Sequence, residues 1–332
     1  MTNYVLKDVL LPSEINDVKR LLKINHLTYE PNVTKTIGLY DQNYMVATGS
    51  IDHNVIKMIA VDPEYTSRNL SSKILSYLLF DMEANQVDHY FLFTKPENTK
   101  IFNNFNFNQI IETKDVVLYE NKEREIEHTL QEMKKSLPLK KGLRNCIVMN
   151  LNPMTLGHLH LIEKAVPQHG DLIIFLVETD ASKIEYKTRL EILKKSINHF
   201  KNVHVLPSTD YIISRATFPT YFLKDKESME VYTELDVSIF KKYFMPIFEI
   251  DMRYVGEEPL DPLTDSYNKK LKEILGNQLS IIDRKTFQDK VISASYVRSL
   301  AKQKKYEDIK LIVPKATYKF LISKKGRSLF DE

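Results

Sequence analysis

The sequence predicts an α/β protein in two parts, a mixed α/β first domain over residues 1–135 and a second domain over residues 140–332 built on a parallel sheet. Two patterns carry this. Before residue 121, strand-like and helix-like segments follow one another irregularly; after residue 142, they alternate. Between them lies a charged stretch punctuated by Pro138 and Gly142. The length of 332 residues is too great for one ordinary core, and a 43% hydrophobic content supplies two.

In the first domain, residues 37–40 and 44–50 read as paired strands and 55–61 as a third. A helix follows over 69–83, with Leu70, Ile74, Leu75, Leu78 and Leu79 on one face. Residues 89–93 read as a strand, 101–107 as an aromatic, Asn-rich turn, and 116–119 as a closing strand. The stretch 121–141 places Ile126, Leu130 and Met133 at helical spacing and ends in a basic turn.

In the second domain, strands are expected over 145–151, 172–178, 203–206, 252–255 and 279–282. Helices are expected over 158–166, 189–200, 227–244 and 267–275. Such alternation gives a parallel sheet with helices on both faces, and ligands then sit beyond the carboxyl ends of the strands.

Composition narrows the function. Lys and Arg number 47 against 44 Asp and Glu, a net charge of +3, too small an excess to argue for nucleic acid or an anionic membrane as partner. Anions must be bound by local placement of cations. The one cysteine, Cys146, lies in the apolar run Cys146-Ile147-Val148-Met149 and reads as a buried strand position; a reducing, cytoplasmic setting fits. Residues 172–177 are apolar but only strand-sized, so no membrane span is expected, and the first residues carry no signal-peptide pattern. With eight glycines in all, each one is informative.

The residues just after the strands hold the chemistry. Asn152-Pro153-Met154-Thr155-Leu156-Gly157-His158 leads from a strand into a helix. Free N–H groups and the partial positive charge at a helix start suit phosphate. Gly157 lets a nucleotide approach the backbone, and Thr155 and His158 are hydrogen-bond donors. Alone, the segment is equally a capped helix with a surface His. Ile292-Ser293-Ala294-Ser295-Tyr296-Val297-Arg298 offers a second cradle, with Ser293 or Ser295 as cap and Arg298 in the first turn. Neither segment holds an obvious nucleophile. That fits direct attack of a substrate oxygen on a phosphorus, with catalysis by positioning and charge stabilisation.

Taken together, the two segments resemble the nucleotidyltransferase superfamily that includes the pantetheine-phosphate adenylyltransferases. The resemblance implies a Rossmann-like domain whose motifs hold the ATP triphosphate. Thr155 stands where the superfamily usually has a first His; Lys183 and Arg189 stand at its phosphate-binding Lys and helix-start Arg. Residues 152–158, 178–182, 208–224 and 254–259 then resemble the [citrate (pro-3S)-lyase] ligase family. That family couples ATP cleavage, with Mg²⁺ expected, to acetylation of the prosthetic-group thiol on the acyl-carrier subunit of citrate lyase. AMP and pyrophosphate are the by-products. The resemblance implies catalytic roles for Thr155, His158, Lys183 and Arg298. It implies nucleotide contacts for Asn152, Pro153, Gly157, Arg189, Gly256, Glu257, Ser293 and Ser295. Asp210, Arg215 and Lys224 are placed with the substrate, Arg215 or Lys224 on the acetate carboxylate or on the carrier's phosphates. Gly256-Glu257-Glu258-Pro259 faces adenosine, or the phosphates through Mg²⁺, or is a solvated acidic turn.

In the first domain, residues 61–73 resemble the strand-to-helix turn that wraps the CoA pyrophosphate in GNAT acetyltransferases. Thr66, Ser67, Asn69 and Ser71 replace that family's basic residue and glycines, and Asn106 in the 101–107 segment replaces another glycine. A GNAT-like fold follows, acting as an acyl-carrier dock or as structure alone. Two other readings stand beside the ligase: an adenylyltransferase making a nucleotide cofactor, and a non-catalytic protein sensing nucleotide and acyl-CoA.

Overall fold

The computed structural model describes residues 4–102, 105–178, 182–213, 218–223, 228–257, 262–288 and 290–330. Two units form: Met1–Glu125 with Phe218–Leu235, and Ile126–Thr217 with Asp236–Glu332. This division differs from a single cut near residue 140 in two ways. The charged helix groups with the second unit, where Lys134 pairs with Glu249 at 2.9 Å. The aromatic segment from Phe218 groups with the first unit, where its ring sits 6.0 Å from that of Phe93.

The first unit is a mixed seven-stranded sheet. Its elements are β1 (Val5–Asp8), α1 (Pro12–Ile24), β2 (Lys35–Asp41), β3 (Tyr44–Asp52), β4 (Val55–Val61), α2 (Leu70–Ala84), β5 (Phe91–Thr94), α3 (Thr99–Phe102), β6 (Asn108–Glu112) and β7 (Val117–Glu120). The order is β1-β2-β3-β4-β5-β7-β6, and only the β4–β5 pair is parallel. The apolar stripe of α2, with Leu70, Ile74, Leu75 and Leu78 buried, packs on the sheet. Gly49 in β3 permits this approach, because a Cβ there would lie 2.6 Å from the side chain of Ile74.

β4 and β5 pair only at Val55–Phe91 and Ile56–Leu92, and then part. Tyr221 borders the gap. Its hydroxyl donates to the Phe93 carbonyl at 3.2 Å, and its own carbonyl accepts from Thr28 N–H at 2.7 Å.

The second unit alternates as expected. It comprises α4 (Glu125–Lys135, grouped here from Ile126), β8 (Leu143–Met149), α5 (Leu156–Ala165), β9 (Gly170–Leu176), α6 (Tyr186–Ser196), β10 (Val203–Pro207), α7 (Ser228–Ile239, grouped here from Asp236), α8 (Met245–Phe248), β11 (Met252–Gly256), α9 (Pro262–Leu275) and β12 (Leu279–Ile282). A hairpin, β13 (Thr286–Phe287) with β14 (Lys290–Val291), precedes α10 (Ala294–Lys302), α11 (Tyr306–Lys310), α12 (Lys315–Leu321) and α13 (Lys324–Ser328). The sheet order β10-β9-β8-β11-β12 is parallel throughout.

β9 shows why the sheet is covered on both faces. Leu172, Ile174 and Leu176 join Ile162, Ala165, Ile192 and Leu193 of α5 and α6. Phe175, of opposite parity, meets the rings of Phe240, Phe244 and Phe248 at 5.2–6.2 Å on the other side. Gly170 is required where β9 begins: φ is 119°, and a Cβ there would sit 1.9 Å from the Leu143 carbonyl oxygen. Cys146 is buried in β8, and the loss of solvation pushes its thiol up to about 12. No helix among the described residues is long and apolar enough to cross a membrane.

Candidate active site

The strand order reverses between β8 and β11, the switch point where parallel sheets open a ligand crevice. A cavity of about 520 Å³ lies there, at the carboxyl ends of β8, β11 and β12, within the size range of small-molecule sites. Arg253, Arg284, Lys285 and Arg298 line it against Asp283 as the acidic member, so its charge favours an anion.

Two helix starts meet at this cavity. Thr155 caps α5: its hydroxyl accepts from His158 N–H at 3.3 Å, and its own N–H donates to His158 Nδ1 at 3.0 Å. Nδ1 is therefore an acceptor, and the proton of the neutral ring sits on Nε2. Desolvation, with the positive Arg284 nearby, lowers His158 to about 4, so the ring stays neutral at ordinary pH. Ser293, rather than Ser295, caps α10 by accepting from Tyr296 N–H at 3.1 Å; the Ser295 hydroxyl lies 2.9 Å from that of Ser293. The helix starts touch directly, because a Cβ on Gly157 would come within 2.9 Å of the Ile292 carbonyl oxygen. The close approach that Gly157 allows here is thus to the second loop. Arg298 reaches across and donates to the Asn152 carbonyl at 2.5 Å.

Six residues singled out from the sequence line this cavity: Asn152, Thr155, Gly157, His158, Gly256 and Arg298. Pro153 is buried in the same loop. Ser293 and Ser295 stand at the start of α10 beside the cavity, and the remaining positions fall elsewhere. Arg189 is 2% exposed, and its guanidinium donates to the carbonyls of Asn150, Val177 and Ile184 at 2.6–2.9 Å. It clasps the loops after β8 and β9 and lies outside the cavity lining. Lys183 is exposed, with Nζ 3.3 Å from the Leu329 carbonyl, outside the cavity lining. The Glu257 carbonyl accepts from Arg284 Nε at 2.5 Å, and its side chain is exposed. Asp210 is exposed after β10, close enough to raise the Glu178 carboxyl further after burial has raised it. Arg215 and Lys224 lie outside the described residues, as do Glu258 and Pro259.

Sequence reasoning passed over Arg253, Tyr267, Asn268 and Arg284. Asn268 Nδ2 donates to the Gly256 carbonyl at 3.0 Å and so fixes the end of β11. Arg253 is a charge inside the apolar strand 252–255, a signal present in the pattern. Among the described residues, no group of three or more His, Cys, Asp or Glu could hold a metal ion.

In the GNAT-like turn, Asn69 takes the left-handed conformation, φ 54°, at the start of α2. Asn tolerates that region better than most residues, which lets the turn form without a glycine.

A parallel sheet with a cationic crevice at its switch point defines the second unit as a Rossmann-like, nucleotide-type domain. The chain belongs to the citrate lyase ligase family: residues 144–321 match the citrate lyase ligase C-terminal domain. It is 34% identical over 315 residues to the [Citrate [pro-3S]-lyase] ligase of Klebsiella pneumoniae, covering 92% of each chain. It is 31% identical to that of Escherichia coli K12, covering 92% of this chain and 89% of the relative. Solved structures with partial overlap include FeeM, an N-acyl amino acid synthase from uncultured soil microbes, at 12% identity and TM-score 0.32, covering 36% of this chain and 91% of that one. A GNAT-family acetyltransferase from Staphylococcus aureus Mu50 overlaps at 15% identity and TM-score 0.31, covering 36% of this chain and 98% of that one.

Proposed function

We propose that this chain activates acetate with ATP and passes the acetyl group to the prosthetic-group thiol on the acyl-carrier subunit of citrate lyase. An acetate oxygen attacks the α-phosphorus, and the bond to the bridging oxygen breaks, releasing pyrophosphate. The thiolate sulfur then attacks the acyl carbon of acetyl-AMP, and AMP leaves. The observation that carries this reading is the meeting of two capped helix starts, α5 and α10, over one cationic crevice. Their free N–H groups, with Arg298 and the Nε2–H of His158, suit a triphosphate whose negative charge shifts toward the leaving pyrophosphate. The side chains present fit ATP that brings its own Mg²⁺, which would neutralise phosphate charge when bound. Lys183, Ser293 and Ser295 act on the same nucleotide in this reading. Arg215 or Lys224 serves the acetate carboxylate or the carrier's phosphates. The setting is cytoplasmic.

The first unit, in this reading, docks the carrier. Tyr221 lies in the wall of a cavity of about 510 Å³ between β4 and β5, which leaves room there for the carrier's prosthetic group.

The test is reconstitution. Incubated with ATP, Mg²⁺, acetate and deacetylated citrate lyase, the protein is expected to restore lyase activity with one AMP and one pyrophosphate per acetyl group. A stable dinucleotide product would instead assign a cofactor-forming adenylyltransferase, and ATP binding without turnover a sensor.

A further inference from the structure

We infer that Arg253, on the floor of the cavity, anchors the carboxylate of the small acid that is activated there. The inference rests on the acetate-activating reading above and assigns the residue that holds the acid.

Arg253 sits within β11 and is 2% exposed, yet it lines the cavity. One face of its guanidinium is covered by the Phe240 ring, 4.3 Å from the centroid. Nη2 donates to the Tyr267 hydroxyl at 3.1 Å, and that hydroxyl donates to Asp236 Oδ2 at 2.7 Å. Nε and Nη1 are buried and have no acceptor among the described residues. Guanidinium is charged at every ordinary pH, and a buried donor left unanswered carries its full desolvation cost. Asp236, one hydroxyl away, balances charge but supplies nothing to those two nitrogens. Tyr267 and Phe240 meanwhile hold the guanidinium in one orientation. The arrangement is a preorganised half of an ion pair.

The depth of the donors selects the ligand. Nε and Nη1 expose almost no surface, so a polyphosphate tail held by the helix starts and rim cations does not need them. Both nitrogens are closed to water in this structure, so an acid meets them only by displacing a neighbouring side chain, and a two-carbon carboxylate needs less room than a longer acid. Val148, Val255 and Ile292 line the same cavity and offer apolar surface to a methyl group. Charge-assisted bonds from guanidinium to carboxylate are the strong kind, and they orient the acid. The further consequence is selectivity for short acids, since the space at the floor is set by packed strands.

The full-length chain tests this through ATP–pyrophosphate exchange, with acetate varied at saturating ATP and ATP varied at saturating acetate. Arg253→Met keeps length and removes the charge. It is expected to raise the KM for acetate by about tenfold or more while leaving that for ATP within about twofold, and Arg253→Lys is expected to recover part of the loss. Tyr267→Phe keeps the ring and the cation but frees the guanidinium to turn; it is expected to raise the acetate KM by a smaller factor, and it serves if the Arg253 variants do not fold. An unchanged acetate KM in folded variants, or a rise in the ATP KM in its place, overturns the assignment. Absence of acetate-dependent exchange in the wild-type chain would sink the ligase reading itself, a result distinct from either of these.

Discussion

Gly157 and His158 are adjacent in sequence and are constrained by different neighbours. Gly157 is fixed by the Ile292 carbonyl, backbone that cannot swing aside as a side chain can. Gly157→Ala is therefore expected to push the two helix starts apart, at a cost of about 1–3 kcal/mol and with a raised KM for ATP. Thermal unfolding and exchange kinetics on the same variant check both. His158 is fixed by its bond from Thr155 N–H, which leaves Nε2–H as the donor. His158→Ala is expected to lower acetate-dependent exchange by about 10²–10³-fold with an unchanged circular dichroism spectrum. The pH behaviour follows from the desolvation of the ring. His158 falls from an ordinary 6.5 to about 4 in the folded chain. Between those values the unfolded chain takes up a proton that the folded chain refuses, so stability is lost as pH falls through that window and is intact above it. His158→Gln removes this component: the wild-type advantage over it in urea is expected to shrink between pH 6.5 and 4.5. An NMR titration of the ring that turned over near 6.5 would contradict the half-buried, neutral His.

At the scale of elements, the site depends on the loop that follows β8. Asn150 receives Arg189 and the Ser182 hydroxyl, and Asn152 receives Ile184 N–H and Arg298. One buried guanidinium thus ties together the ends of β8, β9 and the start of α6. Arg189→Met is expected to leave several carbonyls unanswered, cost at least about 3 kcal/mol and weaken ATP binding through loop disorder; a urea midpoint and an ATP titration report the two separately. Ser293→Ala is expected to cost about 1 kcal/mol through the lost cap.

The same elements show what the sequence could reveal. The alternation of the second half is legible because each strand is an apolar run and each helix carries a stripe, and β4 and β12 fall on the expected residues. β6 begins with Asn108 and Gln109, and α11 to α13 have five to seven residues each. Such segments are too polar or too short to show a period. The two capped helix starts were legible because Gly, Ser and Thr at a strand-to-helix junction have a local meaning. Arg253 and Arg189 were not, because a charge in a strand or a helix acquires its role only from the elements packed around it.

For the whole molecule, the path of the chain decides which fragments can be studied. Residues Phe218–Leu235 return to the first unit after the second has begun. There, Phe218 meets Phe93 at 6.0 Å and Tyr232 at 5.6 Å, while Tyr221 bonds to the Phe93 carbonyl and to Thr28 N–H. A deletion of residues 1–125 removes Thr28 and Phe93 but keeps Phe218, Tyr221 and Phe222, each under 8% exposed in the intact chain. Three aromatic side chains would then face water together, a patch of the kind that drives association. That truncated chain is expected to bind a hydrophobic dye and elute as aggregate in gel filtration. A chain that also lacks residues 218–235, bridged by a short Gly-Ser linker, is expected to elute as a single small species. Because the cavity and both capped helix starts lie within residues 148–298, it should retain ATP–pyrophosphate exchange with acetate. Transfer of acetyl to the carrier is the step it should lose. Full transfer by that chain would remove the first unit from carrier docking, and clean behaviour of the simple truncation would show that the returning segment does not need its partners.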